Sequence, residues 1–219
     1  MAGHYGYEDE PYDAALVNGL AQGHKLSLQR EAIDQSGAQL DDSILHQPYN
    51  VAKQQEFARV IAAALGYDFD RGHLGTVVHP FATSFSRNDA RITTRWYPDF
   101  LSPSLFGTLH ECGHAIYEQG TAPELARTPL ARGTSMGIHE SQSRMMENLV
   151  GRSRPFWQAH FPTLQAHFPE ALGHSTAEDF YRAINKTQPS YIRVEADELT
   201  YNFHIILRFE LEQAMLNGD

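Results

Sequence analysis

In the segment His110-Glu111-Cys112-Gly113-His114, two histidines stand four residues apart and a glutamate directly follows the first. On a helix, positions i and i+4 lie about 40° apart around the axis and one turn apart along it, so both imidazoles reach a single ion. Glu111 then sits beside such an ion rather than on it, which suits a base for a metal-activated water. A plain histidine pair on a helix surface is the bland alternative, and it leaves Glu111 and the small Gly113 without a purpose. Hydrolytic zinc sites keep three protein ligands and one open position. The third ligand does not follow the extended His-Glu-x-x-His-x-x-Gly-x-x-His spacing, because Tyr117 and Gly120 stand where its Gly and last His would be. A downstream carboxylate on a neighbouring helix is therefore expected. Glu140, in Gly137-Ile138-His139-Glu140-Ser141-Gln142, comes 26 residues after His114 and leaves room for a loop and a returning helix.

The elements that must hold these residues are mostly helical. Residues 51–65 are rich in helix formers, carry apolar residues at 57, 60, 61, 64 and 65, and stop at Gly66. Ser102-Pro103 reads as a helix start and Gly120 as its end, with Leu105, Leu109, Cys112 and Ile116 along one stripe. Further helices are expected over 134–151, from the capping box Ser175-Thr176-Ala177-Glu178, and from Pro189-Ser190 to Asn217-Gly218. The strand candidates are 75–81 and 90–96, short and β-branched, which suits a small hairpin or ribbon around 75–97. Residues 1–47 are polar and Gly-rich and read as a helical arm. Residues 48–219 read as the region that carries the chemistry.

Composition narrows the class. The 219 residues hold 17 basic and 27 acidic side chains, a formal charge of −10, the wrong sign for neutralising nucleic-acid phosphates. With 42% apolar residues, disorder is excluded as the main state. The one cysteine, Cys112, forbids an intramolecular disulfide and an all-cysteine zinc site, and reads as a core thiol. No apolar run approaches the ~20 residues that span a bilayer, and the first twenty residues lack the apolar core of a secretory signal. A cytoplasmic protein with no membrane partner is the expectation.

Ligating histidines are held by outer carboxylates, for which Asp89, Glu147 and Asp197 all qualify. Asp89 and Arg91 form either an orienting pair near the metal or a structural pair closing a hairpin. An oxyanion donor is also needed, for which His79, Tyr191 and Tyr201 are candidates, the alternative being a donor outside these 219 residues.

Five ordered blocks carry a family resemblance: His79-Pro80-Phe81, Asp89-Ala90-Arg91-Ile92-Thr93, His110–His114, His139-Glu140-Ser141-Gln142 and Ile192-Arg193-Val194-Glu195-Ala196-Asp197. The chain resembles the carboxypeptidase Taq family of zinc metallocarboxypeptidases over residues 48–219. The resemblance implies a mostly α, helical zincin-like metallopeptidase. It also implies a homodimer that removes C-terminal residues from peptide substrates with broad specificity. By the motif positions His110, His114 and Glu140 are the ligands of Zn2+, with Co2+ as another possible ion. Glu111 is the general base, and Arg193 and His79 line the substrate groove. Arg193 suits a substrate's C-terminal carboxylate because its planar fork donates two parallel hydrogen bonds; the plain alternative is a pair with Asp197 at i+4. Members of that family are roughly twice this length, and their block of the form Gly-x-x-Gln-Asp-x-His-Trp has no counterpart before Asp219. Two other functions stay open: a metallo-endopeptidase with an open cleft, and a non-catalytic metal-binding module.

Overall fold

The computed structural model describes residues 40–188, 190–193, 196–198 and 200–218. The expected arm over 1–47 lies almost wholly outside them; its described end holds a single 3-10 turn, Ser43–Leu45. The Asn50 side chain accepts the Lys53 N–H and starts helix α1 (Val51–Ala64), which buries Phe57 and Ile61. Gly66 ends that course with φ +101°, a conformation that a Cβ disfavours.

A three-stranded sheet follows: β1 (Leu74–Thr76), β2 (Ala82–Ser86) and β3 (Asp89–Thr94), in the order β1-β3-β2. β1 runs parallel to β3 and β2 antiparallel to it. The β element thus falls where expected, but its hairpin joins β2 to β3, and residues 77–81 are not a strand. Pro80 accounts for this. It has no N–H for a ladder, so the chain bends at 78–79 and re-enters the sheet at Ala82.

Helix α2 (Ser102–Gln119) carries Pro103 in its first turn and packs on two sides. Leu105 and Leu109 join the cluster of Phe57, Ile61, Trp157 and Leu164, while Cys112 and Ala115 pack with Ile92, Ala90 and Tyr67. Cys112 is fully buried, the core thiol that was expected, and burial pushes its pKa up. A buried polar clip fixes the helix's start. Gln54 donates to the Tyr97 carbonyl at 2.6 Å and accepts from Ser104 Oγ at 2.6 Å, and the Thr94 hydroxyl donates to the Ser104 carbonyl at 3.2 Å.

Helix α3 (Met136–Arg144) is capped by the Ser135 side chain, which accepts the Ile138 N–H. It runs on as a wider π-helical stretch, Met145–Val150, so the helix expected over 134–151 is present but not α throughout. α2 and α3 touch backbone to backbone at Gly113. A Cβ there would meet Ser143 Cα at 2.5 Å and the Gln142 carbonyl oxygen at 2.6 Å. Neither atom can yield without moving α3. We expect Gly113→Ala to destabilise the fold by about 1–3 kcal/mol and to lower divalent-metal affinity, read by denaturant unfolding and chelator competition. Unchanged values in both would show that the helices separate freely.

Helix α4 (Arg154–His167) lies where the sequence pattern gave no expected element; Ser153 caps it, Pro162 lies inside it, and Trp157, Phe161 and Leu164 are buried. After a short turn, Pro169–Leu172, comes α5 (Ala177–Ile184). Its capping box is Thr176 with Asp179, one residue beyond the expected Ser175 with Glu178. Helix α6 (Tyr201–Asn217) starts well after the expected Pro189-Ser190, behind Asp197, whose carboxylate accepts the Thr200 N–H and hydroxyl. Residues 41–185 form one compact unit, and the described residues after Asn185 belong to a separate one.

Candidate metal centre

The i, i+4 spacing on α2 puts His110 and His114 side by side, with ring centroids 4.9 Å apart. α3 returns alongside and brings Glu140 to both. Its Oε2 lies 3.6 Å from His110 Nε2 and 3.4 Å from His114 Nε2. One atom from each of the three residues fits within a 4.8 Å span. A tetrahedral ion with bonds of about 2.1 Å sets its donors roughly 3.4 Å apart, so two imidazole nitrogens and a carboxylate oxygen here fit one Zn-like cation with a fourth position open. Among the described residues this is the one such cluster.

Outer contacts fix the ligands. Of the three carboxylates considered from sequence, Glu147 is the one that supports a ligand: its Oε2 is 2.8 Å from His110 Nδ1. Asp197 instead accepts from Thr200 and Gln188 in its own unit. Arg144, one turn beyond Glu140, donates to Glu140 Oε1 at 3.2 Å and to Glu147 Oε2 at 3.0 Å, tying both carboxylates to one cation. His114 Nδ1 lies 2.7 Å from Nδ1 of His139, and His139 Nε2 lies 2.7 Å from Glu118 Oε1. That support was missed from sequence, although Glu118 is one turn after His114 on α2 and His139 adjoins Glu140.

The charges are strongly coupled. Burial opposes a proton on His110, but Glu140 and Glu147 outweigh it and hold its pKa at about 9. His110 first and His114 second hold Glu140 well below the usual carboxylate range. Glu147 is also lowered, because His110 and Arg144 overcome its burial. His110, His114 and Glu140 would hold a divalent cation in place of those protons.

Glu111 is only 7% exposed, with the Ala82 backbone of β2 close enough to lower its pKa slightly. Burial foremost, with the like charges of Glu140 and Glu147 behind it, lifts its pKa to about 7 against the pull of His110.

The remaining sequence candidates have contacts of their own. His79 is exposed in the bend before Pro80, and Pro80 sits beside Gly107, one turn ahead of His110 on α2. Asp89 and Arg91 form an exposed two-bond pair at 2.7 and 2.8 Å along β3 itself, within one strand rather than across the hairpin, and it holds the Asp89 carboxyl low. In the second unit, Arg193 donates to the Tyr201 hydroxyl and stacks over its ring at 5.3 Å, and Tyr191 is fully exposed.

A family model described as carboxypeptidase Taq (M32) metallopeptidase matches residues 20–219. Thermostable carboxypeptidase 1 of Thermus thermophilus is 50% identical over 184 residues, covering 84% of this chain and 36% of the relative. Carboxypeptidase 1 of Bacillus subtilis is 42% identical over 229 residues, 99% of this chain and 46% of its own. The crystal structure of an M32 carboxypeptidase from Deinococcus radiodurans R1 superposes with a TM-score of 0.84 at 44% identity, covering 94% of this chain and 40% of that one. The chain thus spans less than half the length of the curated relatives it matches.

Proposed function

Because the chain belongs to the carboxypeptidase Taq (M32) metallopeptidase family, we propose that it serves a zinc-dependent metallocarboxypeptidase that removes C-terminal residues from peptides with broad specificity. The observation that carries this reading is the meeting of His110, His114 and Glu140 around one point, with Glu111 buried beside it. Zn2+ suits the two imidazoles and one carboxylate, and Co2+ fits the same donors. Such an ion supplies Lewis acidity, lowering the pKa of water and polarising a carbonyl. Glu111 takes a proton from the attacking water and delivers it to the departing amine. His79 lines the approach to the scissile bond, at a turn packed beside the metal-binding helix. A homodimer in the cytoplasm completes the proposal, in line with the family resemblance.

Exopeptidase polarity requires a cation for the substrate's free carboxylate, since burying that charge unpaired is costly. Arg193 takes this role, and Tyr201 holds its guanidinium from one side. The test is product analysis on an N-blocked peptide with a free C-terminus and on its C-amidated twin. Single C-terminal residues from the first and almost nothing from the second are expected. Arg193→Ala should then lose roughly 2–4 kcal/mol of transition-state binding on the free peptide and little on the amide. Equal losses on both would make Arg193 structural. Internal cuts would favour the endopeptidase, and bound metal without any cleavage the non-catalytic module.

A further inference from the structure

The two ligating histidines are supported differently, and the difference has a consequence for protons. His110 has a carboxylate directly on Nδ1, whereas His114 has another imidazole, 2.7 Å away, Nδ1 to Nδ1. Two neutral imidazoles at that distance share one proton, which belongs to one ring or the other. If His139 Nδ1 carries it, His114 keeps its own proton on Nε2, where a metal ligand needs a lone pair. If His114 Nδ1 carries it, its Nε2 is bare and faces Glu140 Oε2 at 3.4 Å.

The far side of His139 decides between these arrangements. Its Nε2 is 2.7 Å from Glu118 Oε1, and the same oxygen accepts the Gly133 N–H at 3.3 Å. A carboxylate oxygen already taking one N–H has nothing to donate, so a bare His139 Nε2 would face it lone pair to lone pair. The proton must lie on Nε2, and His139 Nδ1 is left as an acceptor. The pocket is built for that ring. A Cβ on Gly133 would come within 2.5 Å of His139 Cδ2, and Tyr117 packs edge-on at 5.0 Å. Side-chain exposures of 13% for Glu118 and 24% for His139 keep water from replacing either partner easily.

We propose that Glu118 and His139 form a positioning relay that fixes His114 in its metal-binding tautomer, through Glu118 Oε1 to His139 Nε2–H and His139 Nδ1 to His114 Nδ1–H. The proposal rests on the reading that His110, His114 and Glu140 hold a divalent cation. Neither relay residue touches that cation; both act through His114.

The test measures Zn2+ affinity of the whole chain by chelator competition, with histidine 15N spectra reading the tautomers. Outer partners of metal ligands are worth about 10–100-fold in affinity, so His139→Leu should weaken Zn2+ binding by that amount. His139→Gln restores an acceptor for the His114 Nδ1–H and should recover most of it. In the zinc-loaded wild type, His139 should carry its proton on Nε2 and His114 on Nδ1. Equal losses in His139→Leu and His139→Gln would leave His139 only a packing role. Unchanged affinity in both, or an Nδ1-protonated His139, would overturn the relay. The tautomer spectra need no variant, so poor folding of either substitution does not remove the test. Failure of the wild type to bind Zn2+ at all would instead overturn the metal reading.

Discussion

His114→Ala should strip the chain of its cation. Metal analysis of the dialysed wild type is expected to give about one equivalent of Zn2+ per chain, and the variant close to none. Three donors within 4.8 Å define the site, and His114 Nε2 is the partner at the shorter distance to Glu140. Loss of outer partners costs about 10–100-fold in metal affinity, and loss of a direct ligand should cost more, about 10³-fold or above. The effect should be confined to the site. His114 contributes to neither apolar cluster around α2, so the helical signal should survive. Added Zn2+ should raise the unfolding temperature of the wild type by mass action and leave that of the variant unmoved. A full equivalent retained by His114→Ala would remove it from the ligand set.

Some of this site is legible in the sequence because one helix repeat dictates it. His110, Glu111 and His114 lie within five consecutive residues, and helical geometry alone places their side chains. Glu140 takes a further step: the requirement for a third donor and the length of the intervening chain point to it, and α3 returns beside α2 as that argument needs. His139 and Glu118 are harder, because their roles exist only across the contact of two helices. Gly133 must also pass closely enough to cover them.

Misplaced boundaries have local causes. Ser175 with Glu178 and Thr176 with Asp179 satisfy the same capping pattern one residue apart, and the structure uses the second. The Pro189-Ser190 start for the last helix competes with Asp197, whose carboxylate meets the Thr200 N–H and hydroxyl just ahead of Tyr201. α4 holds despite Pro162, which removes one helical hydrogen bond, because Trp157, Phe161 and Leu164 bury enough apolar surface. β2, with Ala-Thr-Ser-Phe-Ser, has no apolar alternation to read. It is a strand because it pairs with β3.

Glu111→Gln should separate metal binding from chemistry. The amide has nearly the shape of the carboxylate, so the buried position of this side chain on α2 should be kept. Glu111 is not among the three donors of the cluster, so Zn2+ content should stay near one equivalent. What the amide cannot do is accept a proton. The wild-type carboxylate, buried beside the three ligands, can take a proton from water and return it to an amine. General acid–base catalysis is worth about 10²–10⁴-fold, so turnover on the N-blocked free peptide should fall by roughly 10³-fold with KM little changed. Glu111→Asp should fall as well, since a shortened carboxylate withdraws from the reacting water while keeping its charge. A Glu111→Gln chain with full metal and more than a tenth of wild-type turnover would take Glu111 out of the proton transfer. Loss of metal together with turnover would mean that Glu111 acts through the site's charge balance instead.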